Sequence, residues 1–262
     1  MIMNKQRKRR DYIGFNKIWP CVFALLMIFY IPILSARSNQ QLQTQQTETI
    51  PLDFPLIIYP TLVKNVAMPM VFMISGDGGW TKFDNAICEN LSKNGLAVVA
   101  LDAQKYFWNS RSPLEASFDI ARSVGYYMQL WNKKEFILFG FSFGASIAPF
   151  ITGNLPEPLQ KTLKGIYCLS PNLKADFEIH LGDMLGFGNK NDTCDVLGQM
   201  VKMKRFHPTC IFGEDEPPAV RTKFRDTGLK IITIPGNHHY NNDAIKVAGA
   251  ITDEVIKTVV KN

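Results

Sequence analysis

Residues 135–150 read EFILFGFSFGASIAPF, an apolar run that turns at Gly140-Phe141-Ser142-Phe143-Gly144 and continues in small residues. The first half predicts a strand buried on both faces, and the second half a helix packed closely against it. A GxSxG pentapeptide alone is a weak signal, but between a strand and a helix it acquires a physical meaning. A serine on so tight a turn needs residues two before and two after it that carry no large side chain. Gly140 and Gly144 meet that need, and Ala145 keeps the helix start small. Ser142 is therefore expected at a helix N-terminus, where backbone N–H groups favour a developing anion. The competing reading is an ordinary serine in a close strand–helix turn.

The neighbouring segments repeat the same rhythm. Short apolar runs at 56–59, 70–75, 96–102, 165–169, 209–212 and 230–234 join the strand expected at 136–141. Helical patterns lie between them at 82–93, 143–152 and 243–260. A further helix has a legible start: Ser112 at the N-cap, Pro113 at the first position and Glu115 at the third form a capping box. Its buried stripe is expected to be Phe118, Ala121, Val124, Gly125, Met128 and Trp131. Alternating β and α segments imply an α/β fold with a mostly parallel central sheet and helices on both faces. The chain, 262 residues with 46% hydrophobic, suffices for one large domain over 51–262. Residues 171–206 break the rhythm, with Gly182, Gly186, Gly188 and Asn189 and weak periodicity. Such an insertion beyond a strand end is either a pocket wall or lid, or a solvated surface loop.

A serine hydroxyl is a poor nucleophile until a base takes its proton, and that base must be held in one tautomer. In this kind of sheet the partners follow in the order Ser, acid, His. After the run at 209–212 comes Gly213-Glu214-Asp215-Glu216-Pro217, and after 230–234 comes Pro235-Gly236-Asn237-His238-His239-Tyr240. Two of the chain's four histidines stand together at that second strand end, while His180 and His207 are not so placed. The acid is Asp215, the commoner residue type, or Glu216, which the spacing from Gly213 favours. His238 is the expected base, with His239 packing or contacting substrate. The stretch ISGDGGW at 74–80 lacks the GxxxxGK[ST] pattern of a phosphate loop. Between an early strand and a helix, it is expected to supply the second oxyanion donor, from the backbone of Asp77, beside the N–H of Phe143. Trp80 is expected to pack the turn.

Charge sets limits on partners. Residues 1–37 hold seven basic residues and one acid, and removing these from the chain's 29 and 23 leaves 22 of each. The body is thus neutral, and a nucleic-acid surface, which needs clustered positive charge, is not expected. The basic cluster precedes the uncharged apolar run at 18–34, followed by Ser35-Ala36. This is the pattern of a secretory signal, or of an uncleaved N-terminal membrane anchor, over residues 1–36. Leu34 fits a cut after Ala36 poorly, and Cys21 lacks the small residues that precede a lipidated cysteine. Residues 37–50 read as a polar linker. Export permits disulfides, and Cys88, Cys168, Cys194 and Cys210 allow three pairings, Cys194–Cys210 among them. Cys168 and Cys210 also suit small apolar positions in strands. No cysteine spacing matches a zinc site, and neither metal nor cofactor is expected.

Taken together, GDGGW (76–80), DAQKYFWNSRSP (102–113), GFSFG (140–144), FEIHLGD (177–183) and GNHHY (236–240) resemble the bacterial virulence protein VirJ and its AcvB relatives. The resemblance spans about residues 55–260. It implies an α/β-hydrolase fold and a periplasmic serine hydrolase acting on membrane phospholipid, with links to aminoacyl-phosphatidylglycerol, to phospholipase A1 activity and to type IV secretion. It carries over Ser142 as nucleophile, Asp215 or Glu216 as acid and His238 as base. Tyr106, Phe107, Trp108 and Arg111 follow the strand expected at 96–102. There the aromatics, Trp108 included, would take an acyl chain or glycerol backbone, and Arg111 would pair with a phosphate diester. The alternative is an aromatic packing cluster with Arg111 in a salt bridge at a helix entry. A second functional class stays open on the same fold: a non-catalytic periplasmic adaptor that binds secretion-system components.

Overall fold

The five residues Met70–Ile74 are all buried, and alternate ones face opposite layers: Met70, Phe72 and Ile74 one way, Val71 and Met73 the other. Only a strand covered on both sides has that pattern, and it sits near the centre of the sheet. The computed structural model describes residues 54–63, 67–179 and 194–260. The apolar run at 18–34, the polar linker, and His180, Gly182, Gly186, Gly188 and Asn189 lie outside the described residues.

In chain order the elements are β1 (Leu56–Tyr59), β2 (Met70–Ile74), α1 (Lys82–Lys93), β3 (Val98–Leu101), α2 (Ala103–Tyr106) and α3 (Pro113–Leu130). Then come β4 (Phe136–Phe141), α4 (Phe143–Asn154), α5 (Glu157–Thr162), β5 (Leu163–Leu169), β6 (Lys174–Ala175), β7 (Cys194–Asp195) and α6 (Val196–Lys202). The last are β8 (Thr209–Gly213), α7 (Pro218–Asp226), β9 (Lys230–Ile234) and α8 (Ala244–Val260). Seven strands form one sheet in the order β1-β3-β2-β4-β5-β8-β9. All neighbours are parallel except β1, which runs antiparallel to β3 at the edge. This is the expected mostly parallel α/β sheet. Helices α3, α4 and α6 cover one face through Ile120, Ile147, Ile151 and Met200, and α1 and α8 cover the other through Ile87, Leu91, Val247 and Ile251. Fully buried Phe72, Phe136, Phe139 and Phe212 fill the two cores, each contributing roughly 2–3 kcal/mol of transfer free energy.

Strand register, more than composition, decides where the loops emerge. Ile74 pairs with Gly140, Phe141 with Leu169, Leu169 with Ile211 and Gly213 with Ile234. The carboxyl ends of five parallel strands therefore lie level, and the residues beyond them emerge along one edge.

Several local expectations need correction. The capping box at Ser112 and Glu115 is present, with Ser112 accepting from the Glu115 N–H, but Phe118 is 52% exposed. The buried face of α3 runs through Ala116, Ser117, Ile120, Ala121, Val124 and Met128. At 100° per residue Phe118 stands about 200° from Ile120, on the opposite side of the helix. The stripe expected from large residues alone is rotated: the buried face includes the small residues Ala116 and Ser117, and the Ser117 hydroxyl donates to the Ile151 carbonyl of α4 (3.2 Å). Within 171–206 the chain forms the two-stranded β6–β7 pair and α6. No disulfide joins Cys194 to Cys210. Cys210 is buried with its Sγ 3.1 Å from the Met200 sulfur, as a small core residue.

Candidate active site

Ser142 stands between β4 and α4 at φ 51° and ψ −107°, a conformation that non-glycine residues avoid and that costs on the order of 1–3 kcal/mol. The two glycines around it make that turn sterically feasible. A Cβ at Gly140 would lie 2.4 Å from the Gly144 carbonyl, and one at Gly144 would lie 2.1 Å from the Ile74 oxygen. The turn is further tied down by Ser142 N–H donating to the Leu169 carbonyl (2.8 Å) and Gly144 N–H to that of Ser75 (3.2 Å). Strain is thus held in place by neighbours on both sides of β4. The Ser142 hydroxyl does not cap its own helix. It lies 3.0 Å from His238 Nε2 instead.

His238 Nδ1 lies 3.1 Å from Glu216 Oε2. The other oxygen of Glu216 accepts from the Gly213 N–H (2.7 Å) and the Ser170 hydroxyl (2.6 Å). Burial works against ionisation of this carboxyl, but the bonds from His238, Ser170 and Gly213 outweigh it and hold it below the usual carboxylate range. The acid and histidine turns meet because Gly213 has no side chain: a Cβ there would be 2.4 Å from the carbonyl oxygens of Gly236 and Asn237. Of the two acids left open by the sequence, Glu216 is brought to the imidazole and Asp215 is not. Asp215 is exposed and meets the histidine turn through its backbone, donating to the Gly236 carbonyl (3.0 Å). His239 is exposed, with its ring 5.5 Å from that of Phe141 and 6.2 Å from that of Phe83. His207 precedes β8, at the opposite ends of the strands.

The loop after β2 borders the serine directly. An atom added at Gly76 would lie 3.7 Å from Ser142 Cβ and 3.5 Å from the Phe141 ring. Ser75 anchors this loop, its hydroxyl accepting from the Ala103 N–H (3.0 Å), and Gly79, at φ 79°, turns the chain back into α1. Asp77 follows Gly76 at the rim and is half-buried. Among the described residues, the backbone N–H groups of Asp77 and Phe143 have no acceptor. Trp80 stacks on Tyr59 at 6.3 Å, packing the turn.

On the other flank the aromatics divide. Phe107 is fully buried, its ring 5.2 Å from Phe143 and 6.0 Å from Phe177, whereas Trp108 is 47% exposed. Phe107 therefore belongs to a packing cluster and only Trp108 presents its ring to solvent. Arg111 makes no salt bridge among the described residues. Its guanidinium lies 4.9 Å over the Tyr106 ring, and its buried Nε has no hydrogen-bond partner among the described residues. Residues 177–179 run beside 107–111, with Ile179 N–H donating to the Phe107 carbonyl (3.0 Å) and Arg111 N–H to that of Phe177 (3.3 Å). That part of the insertion packs against the 107–111 segment, with Phe177 and Ile179 buried, rather than forming a solvated loop.

The family model described as bacterial virulence protein (VirJ) matches residues 68–259. The chain belongs to the VirJ family. No curated protein matches it significantly. Among solved structures, it is similar to Est1E from Butyrivibrio proteoclasticus at 15% identity and a TM-score of 0.58, covering 78% of this chain and 94% of that one. It is also similar to an esterase domain from a Rhodothermus marinus protein (12%, 0.56, covering 78% and 98%). A third is an α/β hydrolase enzyme from a sediment metagenome of the Mar Chica lagoon, Morocco (16%, 0.54, covering 77% and 94%). The VirJ-family chain thus has the α/β-hydrolase fold.

Two side chains of this VirJ-family site carry no signal in the sequence. Ser170, 1% exposed at the end of β5, touches Glu216, and Tyr240, fully buried, touches Ser170. Ser170 follows a strand with nothing to mark it. Tyr240 stands in GNHHY, but its partner is 70 residues away and meets it only in the folded chain.

Proposed function

We propose that this VirJ-family protein is an exported serine hydrolase that cleaves ester bonds of membrane phospholipid or aminoacyl-phosphatidylglycerol. The reading rests above all on one observation: the unbroken chain from Ser142 Oγ through His238 to Glu216, at 3.0 and 3.1 Å. In this reading Ser142 Oγ attacks the acyl carbon while His238 Nε2 takes its proton. Glu216 holds Nδ1–H, so that Nε2 is the acceptor, and stabilises the imidazolium. The N–H groups of Phe143 and Asp77, which have no acceptor among the described residues, receive the oxyanion at the start of the 12-residue helix α4. Collapse breaks the ester bond, and His238 returns its proton to the departing alkoxide. Water then attacks the acyl-enzyme by the same route and regenerates Ser142.

The lipid substrate and periplasmic location are supported by the family and by the basic, then apolar, N-terminal sequence. Trp108 and Arg111 supply an aromatic ring and a cation on the flank where such a substrate would lie. Fluorophosphonate labelling that disappears in Ser142→Ala tests the chemistry; a folded protein that takes no label would sink it. Assays on phosphatidylglycerol, lysyl-phosphatidylglycerol and simple esters test the substrate. Arg111→Ala is expected to slow the phospholipid reactions while sparing simple esters, and equal rates on both would remove Arg111 from the substrate site.

A further inference from the structure

Behind the carboxylate of Glu216 lies a line of hydroxyls that the proposed chemistry does not use. Ser170 Oγ is 2.6 Å from Glu216 Oε1 and 2.6 Å from the Tyr240 hydroxyl, which is itself 2.8 Å from the Ile211 carbonyl oxygen. Three contacts therefore share two hydroxyl protons whenever Glu216 is ionised. If Tyr240 donates to Ile211, the short contact between Tyr240 and Ser170 holds no proton while Ser170 serves Glu216. If Tyr240 donates to Ser170 and Ser170 to Glu216, both short contacts are satisfied. The Ile211 carbonyl keeps a donor either way, because the Ser170 N–H reaches it at 2.8 Å. The second arrangement places aligned dipoles behind a buried anion, where each bond strengthens the next.

The backbone is shaped for this. Ser170 takes φ 52°, one residue beyond β5, in the left-handed region that a non-glycine residue enters at a cost of roughly 1–2 kcal/mol. Tyr240 is also at positive φ, 54°, in the turn after the histidines. Two strained residues from separate strand ends thus stand in line behind one carboxylate oxygen, Ser170 on it and Tyr240 on Ser170, with both residues buried.

We propose that Ser170 and Tyr240 are positioning residues for the catalytic acid, a relay in which Tyr240 donates to Ser170 and Ser170 to Glu216, fixing Oε2 on His238. The inference rests on the Ser142–His238–Glu216 reading. Its consequence is a pH effect with a definite sign. Donors on Oε1 draw charge away from Oε2, so losing them leaves a carboxylate that holds the protonated imidazole more tightly. The acid side of the activity profile then moves to higher pH. Other charged and titratable groups surround this chain among the described residues. Arg221 on α7 donates to the carbonyls of Gly213 and Glu214, the Cys210 thiol points to the other face of the sheet against the Met200 sulfur, and buried Asp84 stands at the start of α1. Glu214 and Asp215 are exposed in the acid turn.

The test uses the full-length chain, with active sites counted by fluorophosphonate titration and kcat/KM for a simple ester measured from about pH 5 to 9. Tyr240→Phe keeps the buried ring and removes only the hydroxyl, which protects the test against misfolding. Ser170→Ala removes the direct donor. Per active site, Ser170→Ala is expected to lower kcat/KM about tenfold and raise the acid midpoint by about 0.5–1 pH unit, with a smaller shift of the same sign in Tyr240→Phe. The double variant should match Ser170→Ala alone, because Tyr240 acts only through Ser170. A profile that falls by one factor at every pH, or additive effects in the double variant, would make both residues merely structural and overturn the relay. Wild-type protein that takes no label would overturn the nucleophile reading and this inference with it.

Discussion

Replacing Glu216 by glutamine changes one oxygen for an amide nitrogen, yet the surroundings of the side chain leave that amide only one orientation. Oε1 accepts two donors, the Gly213 N–H at 2.7 Å and the Ser170 hydroxyl at 2.6 Å. An NH₂ group there would face a backbone N–H that cannot turn away. The amide oxygen must occupy that position, so the NH₂ faces His238 Nδ1 across the 3.1 Å contact and donates to it. Nδ1 then becomes an acceptor, the ring proton moves to Nε2, and Ser142 Oγ at 3.0 Å meets a donor instead of a base. A wrong tautomer of this kind costs a serine hydrolase about 10³- to 10⁴-fold in kcat, or roughly 4–5.5 kcal/mol. The assay is kcat/KM on a simple ester together with the rate of fluorophosphonate labelling, with near-ultraviolet circular dichroism checking the fold. Asp215→Asn, at an exposed side chain of the same turn, is the control and should stay within about twofold. A folded Glu216→Gln protein that keeps more than about a tenth of its activity would refute the reasoning. So would an Asp215→Asn protein that loses as much.

Gly144→Ala would drive a Cβ to 2.1 Å from the Ile74 oxygen, which is backbone and cannot give way. It should destabilise by about 3 kcal/mol or more and lower Tm by about 6–12 °C, read by thermal unfolding. Ile120→Ala, at a fully buried position, should cost about 2–5 kcal/mol in urea unfolding, whereas Phe118→Ala, half-exposed, should cost less than about 1 kcal/mol. Because Glu216 is held below its unfolded value, its contribution is present above the unfolded carboxylate range and is lost as pH falls through the folded value. Urea midpoints should therefore fall more steeply between about pH 5 and pH 3 in the wild type than in Glu216→Gln, and parallel slopes would remove that contribution.

The elements legible in the sequence share one property: their signal is local. Met70–Ile74 and Phe136–Phe141 are apolar runs of strand length, and the capping box at Ser112 and the glycines around Ser142 mark helix starts within a few residues. Phe118 stands outside the buried stripe because hydrophobicity alone does not select that face; small Ala116 and Ser117 are buried there, and Ser117 reaches the Ile151 carbonyl of α4. Ala103–Tyr106, the β6–β7 pair and α7 leave little trace in the sequence for a related reason. They are short, and α7 buries only Phe224, so tertiary contact stabilises them more than their own pattern does.

The sequence by itself determined the sheet, the serine at its strand–helix turn and the order serine, acid, histidine. Each of these is written in neighbours: an apolar run, two glycines around Ser142, and polar turns after strands. Which carboxylate serves the histidine was a matter of the fold. Asp215 and Glu216 are adjacent residues in one turn, and their chemistry is nearly the same. What separates them is the direction in which the turn after β8 points each side chain once Gly213 touches the carbonyls of Gly236 and Asn237. Ser170 and Tyr240 depend still more on folding. Ser170 meets Glu216, and Tyr240 meets Ser170, only because parallel strands hold the ends of β5, β8 and β9 level, bringing residues up to 70 positions apart within 2.6 Å.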